Sequence, residues 1–223
     1  MAGRVKAPLA AWIGCAVALV LLALVAYGID AAQRADATLL TKFIAREGTV
    51  GPLAEAIAHL ADPLPLLLML TGACAIALRR GRPLQAAAAI AVVAGANLTT
   101  QVLKVALAHP RYQSVLGPDQ LGPVAFPSGH ATAATSIAIA YALVVPPRWR
   151  PTVVAVGAGF VLAVGCSIMV LAWHFPSDVL GGVLVACGWG CAALAALRSL
   201  DDERGLGRLR PRSGRAPAPS YRG

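Results

Sequence analysis

The chain has 223 residues, of which 58% are hydrophobic and only 13% charged, at a mean hydropathy of +0.70. A soluble domain carries about twice that charged fraction, so the composition excludes an ordinary water-soluble globule and points to helices embedded in lipid. A net charge of +9 would suit nucleic acid, but the basic residues sort by loop, which is the pattern of membrane topology rather than of a nucleic-acid surface.

A helix that crosses the bilayer core needs about 20 mostly apolar residues. Six segments meet that description, at roughly 9–28, 63–78, 84–105, 127–146, 152–173 and 177–197. Arg4 and Lys6 precede the first, as in a secretory signal. Its apolar run is longer than a signal core and further spans follow, so it is expected to be an uncleaved anchor. The stretch from about Ala35 to His59 mixes Lys42, Arg46, Glu47 and Glu55 with apolar residues, and reads as an amphipathic helix or loop at the interface. The second span is the shortest and has room to extend back toward Ile57. The five cysteines lie in apolar runs without a CxxC or Cys/His cluster, so neither zinc nor a disulfide framework is indicated. From Asp201 onward Arg, Gly, Pro and Ser predominate, which predicts a disordered tail that adsorbs to anionic headgroups. The expected organisation is one all-α, six-transmembrane-helix domain over 1–200, followed by the basic tail 201–223.

Lysine and arginine fix the expected orientation. With the N-terminus in the cytoplasm, fourteen of the nineteen basic residues fall inside, including Arg79, Arg80, Arg82, Arg148 and Arg150 of two short loops. Those loops hold no acid, in agreement with the positive-inside rule. Both termini are then cytoplasmic and the protein is a multi-pass component of the cell membrane.

Three clusters fall at the extracytoplasmic face in this topology. The first is Lys104-Val-Ala-Leu-Ala-His109-Pro110-Arg111, where Pro110 stops the helix and two cations emerge at one rim. Interfacial snorkelling would explain either cation alone. The second is Phe126-Pro127-Ser128-Gly129-His130 at the opening of the fourth span. Proline suits a first helical turn, and the free N–H groups that follow form an anion site. Gly129 lets a ligand approach the backbone, and His130 can exchange a proton near neutral pH. The third is Trp173-His174-Phe175-Pro176-Ser177-Asp178. Asp178, four residues after His174, lies within reach of one imidazole nitrogen, which leaves the other as a nucleophile. It also sits at a helix start, where it would serve as a cap.

In order along the chain, Lys-x6-Arg, Pro-Ser-Gly-His and His-x3-Asp resemble the three signature motifs of the type 2 phosphatidic acid phosphatase family, over roughly Lys104 to Gly182. The resemblance implies that His174 attacks phosphorus to form a phosphohistidine, Asp178 holds His174, and His130 protonates the leaving alkoxide. It implies that Lys104, Arg111, Ser128 and Gly129 hold phosphate oxygens, with no metal or other cofactor. The implied partners are membrane lipids and a lipid phosphate substrate such as phosphatidic acid or a polyprenyl phosphate or diphosphate, and no nucleic acid.

Two departures stand in this sequence. Arg111 is followed by Tyr112 where the family has proline, and Ser167 is followed by Ile168 where the family has arginine. Loss of a phosphate-clamping arginine thins the anion grip, so two readings follow: an enzyme with a weaker clamp, or a non-catalytic relative that binds lipid phosphates or acts as a scaffold. Retention of His130, His174 and Asp178 favours the enzyme.

Overall fold

The computed structural model describes residues 2–209, with side chains placed over residues 5–201. The described residues are all-helical. Eight α-helices follow one another: α1 (Ala2–Gly28), α2 (Asp30–Ile44), α3 (Glu47–Ala58), α4 (Pro63–Arg79), α5 (Pro83–Ala106), α6 (Gly129–Val144), α7 (Arg150–Val170) and α8 (Pro176–Leu209). Short 3₁₀ turns occupy His59–Ala61, Ser114–Leu116 and Pro147–Trp149. Proline opens α4, α5 and α8, where its missing N–H costs nothing and its fixed φ favours the first turn.

Helix α6 is the hub. It packs against α4, α5, α7 and α8, and buries Ala131, Thr132, Ala133, Ala134, Thr135, Ser136, Ile137, Ala140 and Val144. Most of these side chains are small, so neighbouring backbones come close without a hydrophobic driving force between helices. Glycine serves the same end elsewhere. A Cβ at Gly95 would lie 2.6 Å from the Trp189 ring, and one at Gly157 2.8 Å from the Ala138 Cβ. At the opposite end of α6 from its N-terminus, an Arg80 guanidinium N–H donates to the Val144 carbonyl, placing a cation where the helix dipole is negative.

The outer surface is apolar. Leu21, Leu24, Leu67, Leu68, Leu98, Val105 and Leu162 are all exposed, as lipid-facing residues are in a membrane protein. Four helical stretches are long and apolar enough to cross a bilayer: Val5–Gly28, Pro83–Ala106, Pro147–Val170 and Pro176–Asp201. A fifth is reached only if α3 with its 3₁₀ turn and α4, bent by 53° at Asp62, count as one. Helix α6, expected over 127–146, has only 16 residues, about 24 Å at 1.5 Å each against a hydrocarbon core of about 30 Å. The count of six spans is therefore not reached by length and composition alone.

Three expectations are refined. The mixed stretch 35–59 is helical, as α2 and α3. Helix α2 does not merely float at an interface, because its Ala37 and Leu40 are buried with Leu116, Met169 and Phe175. The expected start of the fourth span moves inward: Pro127 lies before the helix and Ser128 is its N-cap, since a cap residue takes extended dihedrals that the helix interior does not. Finally, α8 runs on to Leu209, so the tail expected from Asp201 begins as helix. Residues 210–223, the rest of the expected disordered tail, lie outside the described residues.

Candidate active site

The three clusters meet at one end of the bundle, where α5 ends, α6 begins, α7 ends and α8 begins. The α5–α6 connection contributes Arg111, and the turn between α7 and α8 contributes His174. That turn reverses at Ala172, which adopts φ +54°, and the Trp173 N–H donates to the Ile168 carbonyl. Helix α8 then starts at Pro176, so His174 precedes the helix instead of lying inside it.

Asp178 is fully buried and organises this turn. Its Oδ2 accepts from the Phe175 N–H at 2.8 Å, which satisfies an orphan donor at the start of α8 as the acid of a capping box does. The same oxygen lies 3.6 Å from His174 Nδ1. Nδ1 is buried and has no hydrogen-bond partner among the described residues. The capping and the imidazole-orienting readings of Asp178 thus meet in one carboxylate: the cap bond is made, and the imidazole stands just beyond bonding distance. The ring of His174 faces that of His130, with centroids 6.4 Å apart.

Arg111 occupies a different place from the one its motif implies. Its side chain is buried, and its guanidinium donates to Asp178 Oδ1, to Ser177 Oγ at 3.0 Å and toward Asp36 Oδ2 at 3.5 Å. The Phe175 ring stacks 4.1 Å from its Cζ and the Tyr27 ring 5.2 Å, a cation–π arrangement. Asp36, on α2, accepts in turn from the Ser177 N–H at 3.0 Å and the Ser177 hydroxyl at 2.6 Å. Burial pushes the Asp36 carboxyl above the usual carboxylate range, against the opposing pull of the Ser177 bonds and the Arg111 charge. One arginine thus ties α2, the α5–α6 loop and α8 together.

Ser128 is fully buried. Its Oγ accepts from the Ala131 N–H at 3.3 Å, and its own N–H donates to the Asp178 carbonyl at 2.9 Å, pinning the start of α6 to the start of α8. Thr132 reinforces the junction, donating toward the Ser128 and Gly182 carbonyls at 2.8 and 3.3 Å. Phe126–Pro127 is a cis peptide.

Lys104, Gly129 and His130 line one cavity of about 330 Å³, together with Asp62, Asn97 and Gln101. Lys104 Nζ and Gln101 Nε2 each lie 3.9 Å from where a Gly129 Cβ would stand. Lys104 forms no ion pair among the described residues, in contrast to Arg111. A lysine facing the first N–H groups of a helix is an arrangement that can hold an anion. The structure therefore brings together His174, His130, Asp178, Lys104 and Gly129 around or beside one opening, and sets Arg111 and Ser128 behind it as framework. Ile168 is fully buried.

Sequence reasoning missed Asp62, His59 and Asp36. Asp62 Oδ1 lies 3.4 Å from His130 Nε2, and Asp62 Oδ2 lies 2.7 Å from His59 Nδ1. That bond holds the His59 pKa above its ordinary value. Asp62 read only as the residue before a span and His59 only as the end of a mixed stretch, with no local signal for either contact.

A family model described as the PAP2 superfamily matches residues 85–200, just over half of the chain and all three clusters. No curated protein matches. Among solved structures, the crystal structure of the first transmembrane PAP2 type phosphatidylglycerolphosphate phosphatase from Bacillus subtilis superimposes with a TM-score of 0.69. It is 22% identical over 89% of this chain and 98% of that one, a likeness of fold. With the family model covering more than half of its length, the chain belongs to the PAP2 superfamily.

Proposed function

We propose that the protein is a membrane lipid phosphatase that hydrolyses a lipid phosphomonoester or diphosphate through a phosphohistidine on His174. The observation that carries this reading is the pairing of two imidazoles, 6.4 Å apart between centroids, beside a cavity lined by the α6 N-terminus and by Lys104, which forms no ion pair among the described residues. In this reading the phosphate lies on Lys104 and the N–H groups around Gly129, which neutralise charge as it moves to the oxygens. His174 attacks phosphorus through Nε2 while Asp178 stabilises the charge that develops on the imidazole at Nδ1. His130 protonates the leaving oxygen, and afterwards takes a proton from the water that hydrolyses the P–N bond. Arg111 sets the position of Asp178 from behind.

The reading also places six crossings, α1, α4, α5, α6, α7 and α8, with both termini cytoplasmic and the site at the outer headgroup level of the cell membrane. The short α6 suits this if its N-terminus, which lines the cavity, ends below the headgroups. An opening at headgroup depth admits a phosphate whose apolar tail stays in the bilayer.

The buried Ile168 and the carboxylate-bound Arg111 support a second reading, in which Lys104 alone grips the anion and the protein binds lipid phosphates without turnover. Phosphate release from a panel of lipid phosphates in the presence of a chelator separates the two. The phosphatase reading predicts release by the wild type and a loss of at least ~10³-fold in His174→Ala. No release by either protein alongside retained lipid binding would favour the second reading, and equal release by both would remove His174 as the nucleophile.

A further inference from the structure

Asp62 stands at the N-cap position of α4, where aspartate is among the favoured residues, yet its side chain makes no capping bond. Both carboxylate oxygens turn away from their own helix. Oδ1 lies 3.4 Å from His130 Nε2 and Oδ2 lies 2.7 Å from His59 Nδ1. Glu55 Oε1 approaches the far side of His59, at 3.7 Å from Nε2. Trp173 packs beside both imidazoles, tilted at 5.4 Å from the His130 ring and edge-on at 6.1 Å from that of His59. The other charged or titratable groups around His130 are His174 on the α7–α8 turn and Lys104 on α5. Asp62 is thus the carboxylate that faces His130, and it shares the cavity with His130, Lys104 and Gly129.

A general acid needs a fixed ring and a stabilised charged form, and His130, second residue of α6, gets neither from its own helix. We propose that Asp62 is a positioning residue for His130, with His59 as its outer partner, in a His–Asp–His arrangement that serves leaving-group protonation. The inference rests on the phosphatase reading. Asp62 engages Nε2, which directs Nδ1 to the leaving oxygen. As the bond from His174 to phosphorus forms and the phosphorus–oxygen bond to the lipid breaks, the Nδ1 proton of His130 passes to that oxygen and the lipid departs as an alcohol. Water then attacks phosphorus and gives a proton back to His130, the P–N bond breaks, and inorganic phosphate leaves. His59 and Asp62, with side chains 52% and 38% exposed, link His130 to outside water, so that a proton lost between turnovers is regained.

The test separates protonation from architecture by leaving group. An alkoxide must be protonated to leave, whereas nitrophenolate leaves unaided. In full-length protein in nanodiscs, Asp62→Asn is expected to lower kcat/KM about tenfold or more on an alkyl lipid phosphate, and less than about threefold on p-nitrophenyl phosphate. Asp62→Glu should recover part of the alkyl activity. Equal losses on both substrates would overturn the proposal. A second readout needs no turnover: the chain has four histidines, and in ¹⁵N-histidine spectra Asp62→Asn should move the His59 and His130 signals and leave His109 in place. An unmoved His130 signal overturns the proposal even if the variant loses activity. His174→Ala run alongside reports on the phosphatase reading itself, since wild-type release unchanged by that substitution sinks the reading while the spectra still decide whether Asp62 engages His130.

Discussion

Asp178 is held by a backbone N–H and an arginine, with His174 Nδ1 standing 3.6 Å away, and Arg111 by two carboxylates, a hydroxyl and two rings. Such a buried network is costly to break from one side, because the partner left behind keeps its charge without compensation. Arg111→Ala strands both Asp36 and Asp178, and is expected to lower stability by about 3–5 kcal/mol, read as a fall in the thermal unfolding midpoint in detergent. Arg111→Lys should recover only part of this, since an ammonium cannot present the guanidinium fork. An unchanged midpoint in Arg111→Ala would show that the network contributes nothing. At this scale the placement of His130, His174 and Asp178 was legible in the sequence, because local spacing puts them near helix starts. The partners of Arg111 were not, since Asp36 reaches it from another helix, and neither was Asp62, whose approach to His130 joins residues far apart in the chain.

Between elements, the site depends on how closely α8 passes the start of α6. A Cβ at Gly182 would stand 2.5 Å from the Ser128 carbonyl oxygen and 3.0 Å from the Thr132 N, both held by hydrogen bonds within the junction. Neither atom can yield without displacing the Ser128–Asp178 link. Gly182→Ala is therefore expected to cost about 1–3 kcal/mol and to reduce phosphate release with it. Gly188→Ala, on the same helix, would meet only Cys15 at 3.7 Å and Trp12 at 3.8 Å and should match the wild type in both measurements. Equal behaviour of the two variants would remove the close approach from the account. Hydropathy predicted the starts of both helices to within about two residues, but ended α8 near 197 where the helix runs to Leu209. It put Pro127 inside α6 rather than before the cap, because a Pro-Ser pair fits either register until the Ala131–Ser128 bond is seen.

On the scale of the whole molecule, charge and hydropathy indicated a membrane bundle with its motifs on one side, and the helix ends do gather those motifs at one end. Apolar length alone counts four spans, or five with the bent α3–α4 pair, and leaves the expected sixth to the shorter helix α6. The central claim is that this end of the bundle forms a covalent bond to phosphate. The most direct measurement is rapid acid-free quenching of the purified protein with ³²P-labelled lipid phosphate, followed by mapping of any bound label. The account predicts an acid-labile, base-stable phosphohistidine at His174 that disappears in His174→Ala. Phosphate release with no label on the chain, or label that persists in His174→Ala, would contradict it.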